Sequence, residues 1–366
     1  MRHPIQLILA NTKKEEIYIG VGKNVYILDS KTGKNLANWT LPEANNVQLK
    51  ETPINQIQCM NLSAEKDLLF ISSNDKLLRI FDISEGLKIQ NEIRCNKRPC
   101  VITVVEKLSK VFVGDKFGDV YSFLLNENST VETNTGPIPP NLVLGHVSMI
   151  TDMIVTKDSN YLITSDRDEH IKISCLPKCV VIKGYCLGHQ EFVSKLSILS
   201  WNPDILISGG GDPYLFVWNW RNQELLSKID LIKLLYKKDQ KKYVLDNEKI
   251  AIIGIQQIST RKEIAIIIQK IQLLFIFGDL ASEKPILKII EPLPGDPLSI
   301  TLDKNDVLWI SLDNSTDYNI PFIYLYPKNE DFKKIVQEID KTISIEVDYK
   351  FSPLYDFLQI RKSRKN

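Results

Sequence analysis

Histidine is scarce in this chain, four residues in 366, and an excess of either charge is nearly absent. Forty-six basic residues oppose 45 acidic ones, a net charge of +1. No global field therefore draws the protein to nucleic acid or a membrane, and any such contact must be local. The local candidates are the basic stretches KKDQKK at 237–242 and RKSRKN at 361–366.

Long apolar runs are missing as well. The most apolar stretch, IAIIIQKIQLLFIFG at 264–278, is interrupted by Gln269, Lys270 and Gln272, which argues against a membrane span. The first ten residues have too short an apolar run and no small-residue cleavage site, so they do not read as a secretion signal. A soluble intracellular protein is expected. The six cysteines, at 59, 95, 100, 175, 179 and 186, fall in no paired CxxC spacing, and reduced thiols follow. Cys175, Cys179 and Cys186 lie near His170 and His189 in the chain, but buried strand cysteines are the simpler reading. No metal is expected. There is no P-loop, nucleophile elbow, zinc-protease helix or dinucleotide fingerprint, so the chain is expected to perform no chemistry by itself.

What is present is a repeat. LGHVSMITDMIVTKDSNYLITSDRDEHIKIS opens at Leu144, and LGHQEFVSKLSILSWNPDILISGGGDPYLFVWNW restates it from Leu187. His146 and His189 lie 43 positions apart, the period of WD-type propeller blades. Such a blade calls for an outer strand after the Gly-His corner, a strand ending in Ser or Thr, an Asp in the next turn and a Trp on the third strand. The four side chains can then satisfy one another in a buried hydrogen-bonded chain. His189, Ser208, Asp212 and Trp218 supply all four, and His146, Thr164 and Asp168 supply three, with Ser174 in the Trp place. SGGGD at 208–212 leads into the strand-like LFVWNW rather than a helix, so it reads as an interstrand turn and not a nucleotide loop.

The strand rhythm continues on both sides. Leu68–Ile83 keeps the turn Asp75 and a Phe81-Asp82 pair; Lys110–Leu125 keeps Asp115, with Tyr121 in the Trp place. Further groups run over Glu16–Trp39, Ile250–Gly278 and Pro297–Pro327. The fold class expected is all-β, a single seven-bladed WD40-type β-propeller over 1–350, since radial repetition protects strand edges. Rim insertions are expected near 231–248 and 328–341, the second with helical spacing at Phe332, Ile335, Val336 and Ile339. Residues 343–347 offer a last strand, and 351–366 form a basic C-terminal tail.

Within Lys97–Trp220 the wording becomes specific: KRP at 97–99, GDKFGDVYSF at 114–123, LGHVSMITD at 144–152, ITSDRDEHIKIS at 163–174 and LGHQEFVSKL at 187–196. These segments, with PLYDFLQIRK at 353–362, resemble the WD-repeat, non-catalytic subunit of the eukaryotic tRNA (guanine-N7)-methyltransferase. The resemblance implies a heterodimer. A separate Rossmann-like subunit binds S-adenosylmethionine and methylates a guanine in the tRNA variable loop, so this chain would need no cofactor and would meet tRNA through the complex, in the nucleus or also the cytoplasm. It further implies that Lys172, which reads as lying at an exposed strand end, pairs with an acidic residue of the catalytic subunit.

Around that turn Asp166, Arg167, Glu169 and His170 are candidate partner contacts, and Lys116 and Phe117 form a second candidate in an exposed turn. Asp168 is assigned to the blade turn. Arg361, Lys362, Arg364 and Lys365 are candidates for tRNA phosphate, against the simpler readings of a solvated terminus or an import signal. A generic scaffold, such as a ubiquitin-ligase receptor or chromatin platform, is the alternative, and an enzyme with a site in the central channel a third.

Overall fold

In a computed structural model, the described residues are 3–42, 56–63, 65–125, 141–237, 249–280 and 285–343. They form seven antiparallel sheets, six of four strands and one of three, and every sheet joins chain neighbours in sequence order. The blades span 7–40, 57–94, 99–145, 150–186, 193–230, 252–292 and 297–326.

The first strand of each blade touches the first strands of the adjacent blades, so these seven strands line the axis of a propeller, and blade 7 closes on blade 1. This reverses one expectation. The strand after a Gly-His corner, Ile150–Val155 in blade 4 and Val193–Ile198 in blade 5, is the innermost strand and not the outer one. Second strands sandwiched between blades are buried end to end, as in Leu68–Ser73, Ile205–Gly210 and Glu263–Ile268. Because both of their faces are covered, they read as continuous apolar runs. Fourth strands, such as Glu224–Asp230, face solvent on one side, and period-two alternation survives there.

The two expected insertions are helical where described, and both pack into the core rather than decorating the rim. Helix α1 (Leu231–Lys237) buries Leu231 and Leu235 with the strands of blades 5 and 6. Helix α2 (Glu330–Thr342) follows the three-stranded blade 7; the Asn329 side chain accepts the Asp331 amide at its N-terminus. Its Ile335 and Ile339 pack on Trp309, Phe322 and Ile323 of blade 7 and on Ile17, Ile19 and Leu28 of blade 1. The helix thus bridges the last blade and the first. Ile343 ends α2, and the rest of the expected 343–347 strand, like the basic tail, lies outside the described residues. No described helix is long and apolar enough to cross a membrane.

Candidate partner-binding site

Blade 5 contains the complete hydrogen-bonded chain. Trp218 Nε1 donates to Ser208 Oγ (2.8 Å), and His189 Nε2 and Nδ1 lie 2.7 Å from Ser208 Oγ and Asp212 Oδ2. The Asp212 carboxylate can only accept, so Nδ1–H donates to it, and in the neutral ring Nε2 accepts the Ser208 hydroxyl proton while the Ser208 oxygen accepts from Trp218. Burial lowers the His189 pKa against the pull of Asp212, so the ring is held neutral.

Blade 4 departs from the expected set. His146 Nε2 meets Thr164 Oγ1 at 2.7 Å, but Nδ1 meets Asp166 Oδ2 at 2.8 Å, so Asp166 and not Asp168 closes the chain. The ladder explains why. Thr164 opposite Lys172 and Ser208 opposite Phe216 are equivalent rungs, which puts Asp168 level with Asp212 and Asp166 level with Gly210. At Gly210 a Cβ would collide with the Phe192 carbonyl, so blade 5 must place its carboxylate two residues later. In blade 4 that position is open, and Asp166 Oδ1 also caps the amides of Asp168 (2.8 Å) and His170 (2.9 Å). Burial pushes the Asp166 carboxyl up, but His146 and the turn amides outweigh it and hold it below the usual range. Asp166 is buried but lines the cavity beside Lys172, whereas Arg167 and Glu169 are half-buried and His170 exposed. Ser174, in the Trp place, is buried with its hydroxyl unpartnered.

Lys172 lies on the third strand of blade 4, opposite Thr164 and Tyr185. It is not an exposed strand end. Its stem is buried, at 8% exposure, and its Nζ donates to the Gly145 carbonyl at 2.5 Å, 5.9 Å from the centre of the Tyr185 ring. Burial lowers its pKa, partly opposed by the charge of Asp166. The ammonium forms part of an open cavity of about 500 Å³ lined also by His146, Val147, Asp166, His170, Tyr185 and Leu187. Val147 and Leu187 stand at its mouth, 95% and 64% exposed. A recessed cation between exposed apolar side chains suits one carboxylate presented by a docking surface.

Phe117, 54% exposed, sits in the adjoining turn of blade 3 with Lys97 Nζ 4.8 Å and Lys116 Nζ 5.0 Å from its ring centre. Gly118 has φ +101°, and a Cβ there would lie 2.6 Å from the Ser148 carbonyl. Its carbonyl accepts the His146 amide at 2.8 Å, which ties this turn to the blade 4 corner. Lys116, Phe117, Arg167, Glu169, His170 and Lys172 thus fall on one continuous face. Arg361, Lys362, Arg364 and Lys365 lie outside the described residues.

A family model described as the tRNA methyltransferase TRM82 WD40 domain matches residues 28–140 and 128–320. A Saccharomyces cerevisiae protein named as the TRM82 non-catalytic subunit of tRNA (guanine-N(7)-)-methyltransferase is 31% identical, over 82% of this chain and 74% of its own length. The chain belongs to the TRM82 WD40 family. A Meyerozyma guilliermondii relative of the same name is 34% identical over 64% of each chain, and one from Debaryomyces hansenii is 30% identical over 64% of this chain and 66% of its own. The chain spans a little under two thirds of these two relatives. Among solved structures, a chain of a mitotic checkpoint complex superposes with TM-score 0.66 at 15% identity, covering 85% of this chain and 87% of the other, which bears on the fold alone.

The TRM82-type blades also hold residues that pattern reading missed. Opposite Leu206, Leu162, Leu69 and Val111, the same rung carries Trp218, Ser174, Phe81 and Phe123. Phe123, not Tyr121, therefore takes the Trp place in blade 3. Tyr121 shares the rung of Lys172 and of Arg79. Arg79 is buried and replaces the histidine network in blade 2: it donates to Ser73 Oγ (2.9 Å), Asp75 Oδ2 (2.7 Å) and Glu92 Oε1 (2.7 Å). The signal was an arginine four residues after the turn aspartate. In blade 3, Cys95 stands where blades 4 and 5 have histidine, four residues before the first ladder pair, and Asp115 Oδ2 is buried without a partner. Cys179 and Cys186 pack in different core clusters, and no described group of three or more His, Cys, Asp or Glu residues is placed to hold a metal.

Proposed function

We propose that this chain is the non-catalytic subunit of a tRNA (guanine-N7)-methyltransferase heterodimer. In this reading a separate catalytic subunit binds S-adenosylmethionine and methylates a guanine of the tRNA variable loop. The propeller holds that subunit in its working conformation. One observation carries the reading: the recessed Lys172 ammonium between exposed Val147 and Leu187, on a face that runs on to Phe117. The hydrogen-bonded chains of blades 4 and 5 lie behind this face, so docking costs little ordering of the propeller.

Co-expression of the propeller with the catalytic subunit, followed by affinity capture and a tRNA methylation assay, tests the proposal. The pair is expected to co-purify and to form 7-methylguanosine, and the propeller alone to show neither methylation nor S-adenosylmethionine binding. Recovery of cullin adaptors or histones in place of a methyltransferase would support a generic scaffold and contradict it.

A further inference from the structure

Along the propeller axis the first strands of all seven blades enclose a second cavity, of about 410 Å³, which shares no lining residue with the Lys172 cavity. In blades 2, 4 and 5 the first strand carries a bulge, at Gln58, Thr151 and Ser194. A bulge of this kind re-aims a side chain. Thr151 and Ser194 spend their hydroxyl protons on the Val193 and Ile252 carbonyls of the next blade. Gln58 differs, because an amide oxygen has no proton to give. At 2% exposure it lines the cavity, and its Oε1 has no donor among the described residues. Two charges stand in the same wall. Asp152 Oδ2 accepts the Leu196 amide at 2.8 Å. Lys195, the residue before that amide, is half-buried and yet forms no ion pair among the described residues. Its charge reaches the Cys59 thiol of blade 2, the chain neighbour of Gln58. An unmatched cation and an unmatched buried acceptor thus share one channel, and each is costly until a ligand answers it.

We propose that the channel binds a small apolar monocarboxylate with an amino or hydroxyl group beside the acid, the chemistry of an α-amino or α-hydroxy acid. The carboxylate takes the Lys195 ammonium, the amino or hydroxyl group donates to Gln58 Oε1, and the apolar body lies on Met60, Ile154, Ile255 and Ile300 of the wall. One lysine balances one negative charge. A phosphate dianion would leave charge over and meet the Asp152 carboxylate, and a plain fatty acid would bring no donor to Gln58. A cavity of this size falls within the roughly 300 to 1,000 Å³ of small-molecule sites, which pair apolar walls with a few placed polar groups. The channel opens apart from the docking face, so ligand and catalytic subunit fit together.

The test uses the full-length chain and a panel of leucine, isoleucine, valine, methionine and phenylalanine with their α-hydroxy analogues. Each is titrated to about 10 mM, enough to saturate a millimolar site, with calorimetric heat and the unfolding midpoint as readouts. At least one acid should bind saturably and raise the midpoint. Its amide, which lacks the carboxylate, and inorganic phosphate should bind roughly tenfold or more weakly. Lys195→Met, which keeps the stem, should lose about tenfold in affinity for the acid, and Gln58→Met several-fold. The amide comparison needs no substitution, so it decides the proposal even where a variant folds poorly. Absence of saturable binding by every acid would overturn the proposal and leave ordered water as the occupant. Equal affinity for acid and amide, or tighter binding of phosphate than of any acid, would overturn it as well.

Discussion

His146 donates through Nδ1 to Asp166, 2.8 Å away, and leaves Asp168, level with the blade 5 carboxylate, out of the chain. Asp166 accepts from His146 and from two part-buried turn amides, so its removal leaves the buried His146 ring and both amides without their acceptor. Asp166→Ala should cost about 2 kcal/mol or more, and Asp168→Ala less than half of that. Urea unfolding of both variants checks the order, and a larger loss from Asp168→Ala would return the role to that residue.

Mild acid should weaken the propeller through its buried histidines. His3, His146 and His189 have pKa values lowered, in each case mainly by burial. Well above the ordinary histidine value both states are neutral and stability is fully present. As pH falls below it the unfolded chain binds protons that the folded chain refuses, and stability drops until the folded rings titrate. Each ring can contribute at most about 1.4 kcal/mol per pH unit. Denaturation midpoints from pH 7.5 to 5.5 should fall, and fall less steeply for His189→Gln. A flat profile would contradict neutral, buried histidines.

The period of 43 residues and the Gly-His pairs made the propeller and the whole blade 5 network legible, because a fixed period and a complete residue set constrain each other. Blade 4 was legible only in part: whether its carboxylate stands two or four residues after the hydroxyl depends on the space at the Gly210 level, which lies across the blade and not along the chain. Tyr121 was placed by its likeness to Trp, and the ladder rung puts Phe123 there instead. Lys172 looked exposed because a lysine in a charged motif suggests a surface turn; its long stem lies buried, with the charge facing the cavity. The spacing of 328–341 showed a helix but not that its apolar stripe joins two blades.

That joining role gives a prediction. Ile339 is fully buried between blade 7 and blade 1, so Ile339→Asp places a carboxylate in the closure. Stability should fall by about 3 kcal/mol or more. Amide exchange should rise in blades 1 and 7 well before blade 4. Uniform exchange across all blades would show that α2 does not clasp the ring.

The Lys172 cavity is probed best by a neutral side chain of similar length. Lys172→Glu would set a second carboxylate near Asp166 and disturb the blade itself, whereas Lys172→Met keeps the buried stem and removes the charge together with its hydrogen bond to the carbonyl of exposed Gly145, which water can replace. Calorimetric titration of Lys172→Met against the catalytic subunit, at low and moderate salt, is the most direct measurement. We expect affinity at least about tenfold weaker than wild type, with the deficit shrinking as salt rises and the free propeller's unfolding midpoint nearly unchanged. Equal affinity of the two chains at both salt concentrations would contradict the account, since the recessed ammonium would then not be where the partner docks.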